Sequence, residues 1–169
     1  MAANQIEPWL RGTLTDVPAV QRAVLHAIEL AVEDIEKWCG GLSAEEFNAC
    51  PAGIPPVAFH LRHIARSLDR LLTYAEGRQL TDEQIGAMKT ELAPDAKLDA
   101  VFAEFRAAIT KSVARVRAFD AARLEELRTV GKRQLPTTMG GLLVHVADHT
   151  QRHVGQAITT AKIVLGARR

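Results

Sequence analysis

Four long stretches of the chain repeat apolar residues at intervals of three and four, and alternating Val, Ile and Thr runs are almost absent. That periodicity is the signature of amphipathic helices. The first stretch, from about Asp16 to Cys39, places Val20, Val24, Ala27, Ile28, Ala31, Ile35 and Trp38 on one face. Thr15 or Asp16 caps it, Pro18 suits its first turn and Gly40-Gly41 stops it. The second follows Pro55-Pro56 and runs to about Glu76, with Val57, Leu61, Ile64, Leu68 and Leu72 as its stripe. The third covers about Ala96 to Phe119, and the fourth runs from Thr137 or Thr138 to about Leu165. Between them, Ser43–Glu46 and Thr81–Gln84 read as capping boxes of short helical turns. Asp120 to Leu127 reads as a short turn and Gly131–Pro136 as a loop. Gly140-Gly141 costs helicity but lets another backbone approach. Four amphipathic helices of about 20 residues in one chain predict an all-α, four-helix bundle, with a looser all-α fold as the alternative.

At 169 residues the chain is read as a single domain, 1–169, with its core at about 15–165. A hydrophobic share of 47% against 24% charged excludes disorder. Twenty-one Lys and Arg oppose 20 Asp and Glu, a net charge of +1, so bulk electrostatics give no drive toward nucleic acid or anionic lipid. No apolar run is long enough for a transmembrane helix. The opening Met-Ala-Ala-Asn-Gln-Ile-Glu-Pro has neither a basic nor an apolar leader region. Cys39 and Cys50 match no zinc or redox spacing and read as reduced thiols of a cytoplasmic protein.

The six histidines are more telling. His26 stands alone on the first helix and reads as a polar surface or capping residue. The other five fall in two windows: His60 and His63, then His145, His149 and His153. Neutral imidazole is the commonest metal ligand. Residues four apart on a helix share a face, so His149 and His153 can grip one ion together, with a third ligand from the second helix. Helical phase puts His153 about 75° and His149 about 115° from the apolar centre of the last helix, at the rim of the core, and His145 about 155° away, toward solvent. On the second helix, phase prefers His60, at about 80°, over His63, at about 140°.

The pair reads His149-Thr-Gln-Arg-His153, so it is neither the HExxH zincin pattern nor its inverse. Three histidines with an open position suit catalytic zinc, or nickel, rather than a closed structural site. An open divalent ion lowers the pKa of water to about 7, polarises a carbonyl or stabilises a thiolate, and the residues do not choose among these. Asp148 lies about 100° round the helix from His149 and reads as a solvated acid. Gln156 shares the His149 side and either orients a ligand or is a surface amide. Arg62, Arg66, Arg70 and Arg152 either meet an anionic substrate or form an ordinary charged face, and the ordinary face is the preferred reading.

Ala58-Phe-His-Leu-Arg-His63-Ile-Ala-Arg-Ser-Leu-Asp-Arg-Leu and Leu143-Val-His-Val-Ala-Asp-His149-Thr-Gln-Arg-His153-Val-Gly-Gln156 together resemble the DinB/YfiT-like superfamily, in helix order from about residue 15 to 165. The resemblance implies a four-helix bundle and a divalent ion held by His63, His149 and His153. Gly155-Gln156 completes the family motif, His145 matches a frequent extra histidine that is not usually a ligand, and His60 has no settled role in the family; His60, His145 and Gln156 are the candidate supporting positions. The resemblance further implies metal-dependent hydrolases, or thiol-dependent transferases and isomerases using a low-molecular-weight thiol, acting on a small-molecule substrate, with homodimers common. Val154 stands where Arg is frequent before the Gly, which weakens any specific claim for an anionic substrate. The rival expectation is a metal-binding or stress-response module of the same fold without turnover, and a third is a structural bundle dimer with an incidental histidine cluster.

Overall fold

A computed structural model describes residues 6–167. The first five residues, part of the opening read for a leader, lie outside that range. Four long helices carry the architecture: α1 (Ala19–Cys39), α3 (Val57–Ala75), α5 (Leu98–Ala118) and α6 (Met139–Gly166). Two short ones, α2 (Ala44–Asn48) and α4 (Asp82–Met88), lie in the connections. The chain is mostly helical, with one small sheet of β1 (Leu127–Val130) and β2 (Leu135–Thr138).

The long helices form where periodicity predicts them, within three residues at each end. Both capping boxes are present: Ser43 accepts from the Glu46 backbone N–H while Glu46 returns a bond to the Ser43 N–H, and Thr81 and Gln84 do the same for α4. At α6, Thr138 is the cap and accepts from the Gly141 N–H at 3.0 Å. The first helix differs. Its N-cap is Pro18, with no side-chain cap, rather than Thr15 or Asp16.

One core joins the four. α6 packs against α1 and α3, and α5 packs against α3 and, over less surface, α1. Ala31, Ile35, Leu61, Ile64, Leu68, Leu72, Leu143, Val146 and Ala157 are fully buried in it. Each buried Leu or Ile contributes about 1.5–3 kcal/mol. α3 faces two long neighbours at once, so much of its circumference is covered. No helix among the described residues is long and apolar enough to cross a membrane.

The turn after Asp120 forms at Ala121–Arg123, with the Asp120 carboxylate accepting from the Ala122 N–H at 2.9 Å, but the chain that follows it, read as a loop at Gly131–Pro136, is an antiparallel hairpin, pairing Leu127 with Thr138 and Val130 with Leu135. Four-residue strands are too short for alternation to stand out, and Pro136 argues against a strand unless it lies in an edge ribbon, which this is. Gly131, at φ 72°, makes the turn possible. The Arg128 side chain donates to the carbonyl of Ala75 at 2.7 Å, satisfying an end group of α3. The Gly140 N–H donates to the carbonyl of Leu124 at 2.8 Å, and a Cβ at 140 would lie 3.2 Å from that oxygen. The close backbone approach expected at Gly140-Gly141 is therefore made by residue 124.

His26 is corrected as well. It is buried, with Nε2 3.2 Å from the Thr13 hydroxyl, because the segment ahead of α1 folds back over it.

Candidate metal centre

α3 presents His60 and His63 toward the middle of α6, where His149 and His153 sit one turn apart among buried Val146, Thr150 and Val154. One ring nitrogen each from His63, His149 and His153 lies within 4.8 Å of the other two. His63 Nε2 and His149 Nε2 are 3.3 Å apart, and the His63 and His153 ring centroids are 4.2 Å apart. Phe59 stacks on His63 with centroids 5.4 Å apart and meets His153 edge-on at 6.3 Å.

His60, which phase favours, is buried but does not join that group of three. Its Nδ1 instead contacts His153 Nδ1 at 3.2 Å. Phase measured from one apolar stripe assumes that the opposite face meets water. On α3 it meets α6 and the chain after α4, so His63, nominally turned away from the core, keeps only 17% of its side chain exposed. His145 is exposed, 3.7 Å from the Asp148 carboxylate, and reaches the cluster only through its ring contact with His149 at 5.4 Å. Gln156 is exposed and takes part in none of the cluster's hydrogen bonds. Asp148 is an exposed acid, as read, and accepts from Arg152 at 2.7 Å.

Sequence reasoning missed Glu91. It lies in the connection after α4, is 5% exposed, and accepts from His63 Nδ1 at 2.7 Å and from Arg70 at 2.7 Å. Burial alone would raise its pKa, but the hydrogen bonds from His63 and Arg70 outweigh that and hold it below the ordinary carboxylate range. An ionised carboxylate can only accept. The Nδ1 that faces it is therefore the donor of that bond, and the other ring nitrogen, Nε2, faces His149. Arg66 and Arg70 are accordingly not the ordinary charged face expected of them: Arg70 is buried on Glu91, and Arg66 binds Glu104 at 2.7 Å. The regular spacing of Arg62, Arg66 and Arg70 was the available signal, although it named no partner.

The cluster suits a cation. Burial, then neighbouring His153 and His63, push His60 down to about 4. Burial, then His153 and His63, put His149 at about 4, and burial with His63 and Arg152 puts His153 at about 4. These imidazoles are neutral near pH 7 and available as ligands. His149 Nδ1 is buried without a hydrogen-bond partner. Two nitrogens bound to one tetrahedral ion at about 2.0–2.1 Å stand about 3.3–3.4 Å apart. The His63–His149 spacing of 3.3 Å matches that figure. The three histidines could hold one metal ion, and their chemistry fits it.

A cavity of about 510 Å³ lies between α3, α4 and α5, with no histidine in its wall, and it meets the cluster only at Arg70.

A sequence model of the DinB superfamily matches residues 27–157, well over half of the chain. The chain belongs to the DinB superfamily. The matched span includes the five clustered histidines, Glu91 and Arg70 and reaches into all four long helices of this DinB-superfamily protein. No curated protein matches the sequence.

Proposed function

We propose that this DinB-superfamily chain is a divalent-metal-dependent enzyme in which His63, His149 and His153 hold one ion, zinc or nickel. The observation that carries the reading is the convergence of three nitrogens, from two helices, within 4.8 Å. Three protein donors are one fewer than a closed structural zinc site uses, which leaves a position for an outside molecule. A divalent ion there supplies Lewis acidity, activating a water or a low-molecular-weight thiol against an electrophilic small-molecule substrate. The chain's own residues do the rest. His63 is oriented by Glu91, His153 is buttressed by His60, and Phe59 walls one side of the cluster. The reaction is of the hydrolase or thiol S-transferase type, in a cytoplasmic protein whose four long helices form a four-helix bundle within a single domain, 1–169, assembled as a homodimer.

The second reading is a metal-binding or stress-response module without turnover. The observation in its favour is that the cavity of about 510 Å³ has none of the three imidazoles in its wall.

Elemental analysis of protein purified without a histidine tag tests the site. One ion per chain, lost in His149→Ala and in His153→Ala, is expected; metal content unchanged in both variants would refute it. Turnover in a screen of thiols against electrophiles, abolished in the same variants, separates the enzyme from the module.

A further inference from the structure

Three arginines of α3, spaced four residues apart, fasten one short segment. Arg62 donates to the carbonyl of Ala93 at 2.7 Å. Arg66 donates to the carbonyl of Ala87 at 2.6 Å and to the Thr90 hydroxyl at 2.9 Å. Arg70 donates to the Glu91 carboxylate at 2.7 Å. Downstream, Asn48 of α2 holds Ala96 by both its backbone N–H and its carbonyl. A segment with no regular structure after Met88 is thus tied down at successive points along its length.

Its burial pattern is inverted. Glu91 is 5% exposed while its neighbour Leu92 is 66% exposed. Hydrophobic burial alone would put the leucine inside, because a buried carboxylate is costly unless paired. The inward acid reaches one ring nitrogen of one histidine, and the other nitrogen of that histidine faces His149. A histidine that binds metal commonly donates its second N–H to a carboxylate, which fixes tautomer and ring orientation.

We infer that residues 87–93 act as a strap, clamped by Arg62, Arg66 and Arg70, whose purpose is to deliver Glu91 as the positioning residue of His63. Glu91 holds the proton on Nδ1 and keeps Nε2 bare and aimed at His149 and His153. Glu91 makes no claim on the ion itself. The inference deepens the metal reading and rests on it for its functional meaning, but the tautomer it specifies exists without any ion.

The test has two arms, run on the full chain. In the first, nitrogen-15 spectra of metal-free protein in mildly alkaline buffer report which His63 nitrogen carries the proton. The wild type shows Nδ1 protonated, whereas Glu91→Ala shifts His63 toward the Nε2-protonated form that imidazole prefers in water. In the second, zinc affinity is read by competition with a chromophoric chelator. Glu91→Ala is expected to weaken binding by about 10–100-fold, and Glu91→Asp to recover part of the loss. Should Glu91→Ala fail to fold, Glu91→Gln is carried through both arms; it keeps the volume and loses the charge. An unchanged His63 tautomer together with unchanged zinc affinity overturns the strap. A wild type that binds no zinc overturns the metal reading instead, and the first arm still decides the role of Glu91.

Discussion

Two polar assemblies share α3, and they are built on opposite principles. Around Arg115 all three guanidinium nitrogens are engaged: it binds Glu76 at 2.6 Å, Asp69 at 2.7 Å and Thr73 at 3.2 Å, while Gln84 closes the ring onto Thr73 at 2.9 Å. Cations alternate with anions, and the knot ties α3 to α5 and α4. Around His63 the arrangement is incomplete. Two imidazole nitrogens face each other at 3.3 Å, and His149 Nδ1 is buried with no partner. The contrast teaches that a density of polar groups does not mark a site. Imidazole nitrogens brought together inside a frame that leaves them without charged partners of their own do.

Arg70 belongs to the frame of the incomplete assembly, and removing it should break the comparison most sharply. Arg70→Ala leaves Glu91 as a buried carboxylate with its main cationic partner gone, at a cost of about 3–5 kcal/mol. Arg115→Ala removes a larger number of hydrogen bonds, yet Asp69 is 52% exposed and water replaces the arginine there, for a cost of about 1 kcal/mol. Urea denaturation of metal-free protein measures both. Equal losses would mean that the two assemblies are energetically alike.

The parts legible in the sequence are those that repeat. Val24, Ile28, Ala31 and Ile35 announce α1 because each obeys the same spacing, and Ser43 with Glu46 announces α2 because a capping box is local. His149 and His153 are legible as a pair for the same reason. Glu91 is not, because it sits in irregular chain where no period exists and its partners are 21 and 28 positions away. His60 against His63 lay beyond helix phase, since phase describes one helix and the answer depends on what covers its far side. The hairpin at 127–138 was hidden by short strands and a proline, and His26 by the fold-back of the residues before α1.

A second effect sharpens the contrast from the side of binding. Free zinc at one hundred times its dissociation constant stabilises a protein that binds it only when folded by about 2.7 kcal/mol. Wild type and Arg115→Ala should both show that gain in thermal melts, because the knot contributes no ligand. His149→Ala and His153→Ala should show none. A zinc-dependent gain that survives both histidine changes would place the ion elsewhere.

The smallest effect concerns protons. His60, His149 and His153 are held at about 4 in the folded chain against about 6.5 unfolded. Above pH 6.5 both states are unprotonated at these rings, and the stability of the metal-free protein is at its full value with respect to them. Between pH 6.5 and 4 the unfolded chain takes up protons that the folded cluster refuses, so stability falls as pH falls. His149 and His153 are half-buried, so solvent screening reduces the net loss to about 1–2 kcal/mol across the window. Glu91 contributes with the same sign only at lower pH, below the ordinary carboxylate range, so the upper part of the window belongs to the imidazoles. Thermal melts in chelator at stepped pH should slope downward from 6.5. His149→Leu, with one fewer ring forced to stay neutral, should slope less, and Arg115→Ala should follow the wild type because its knot contains no imidazole. A slope in His149→Leu equal to that of the wild type would show that the cluster accepts protons as readily as it would accept an ion, and the distinction between the two assemblies on α3 would lose its electrostatic basis.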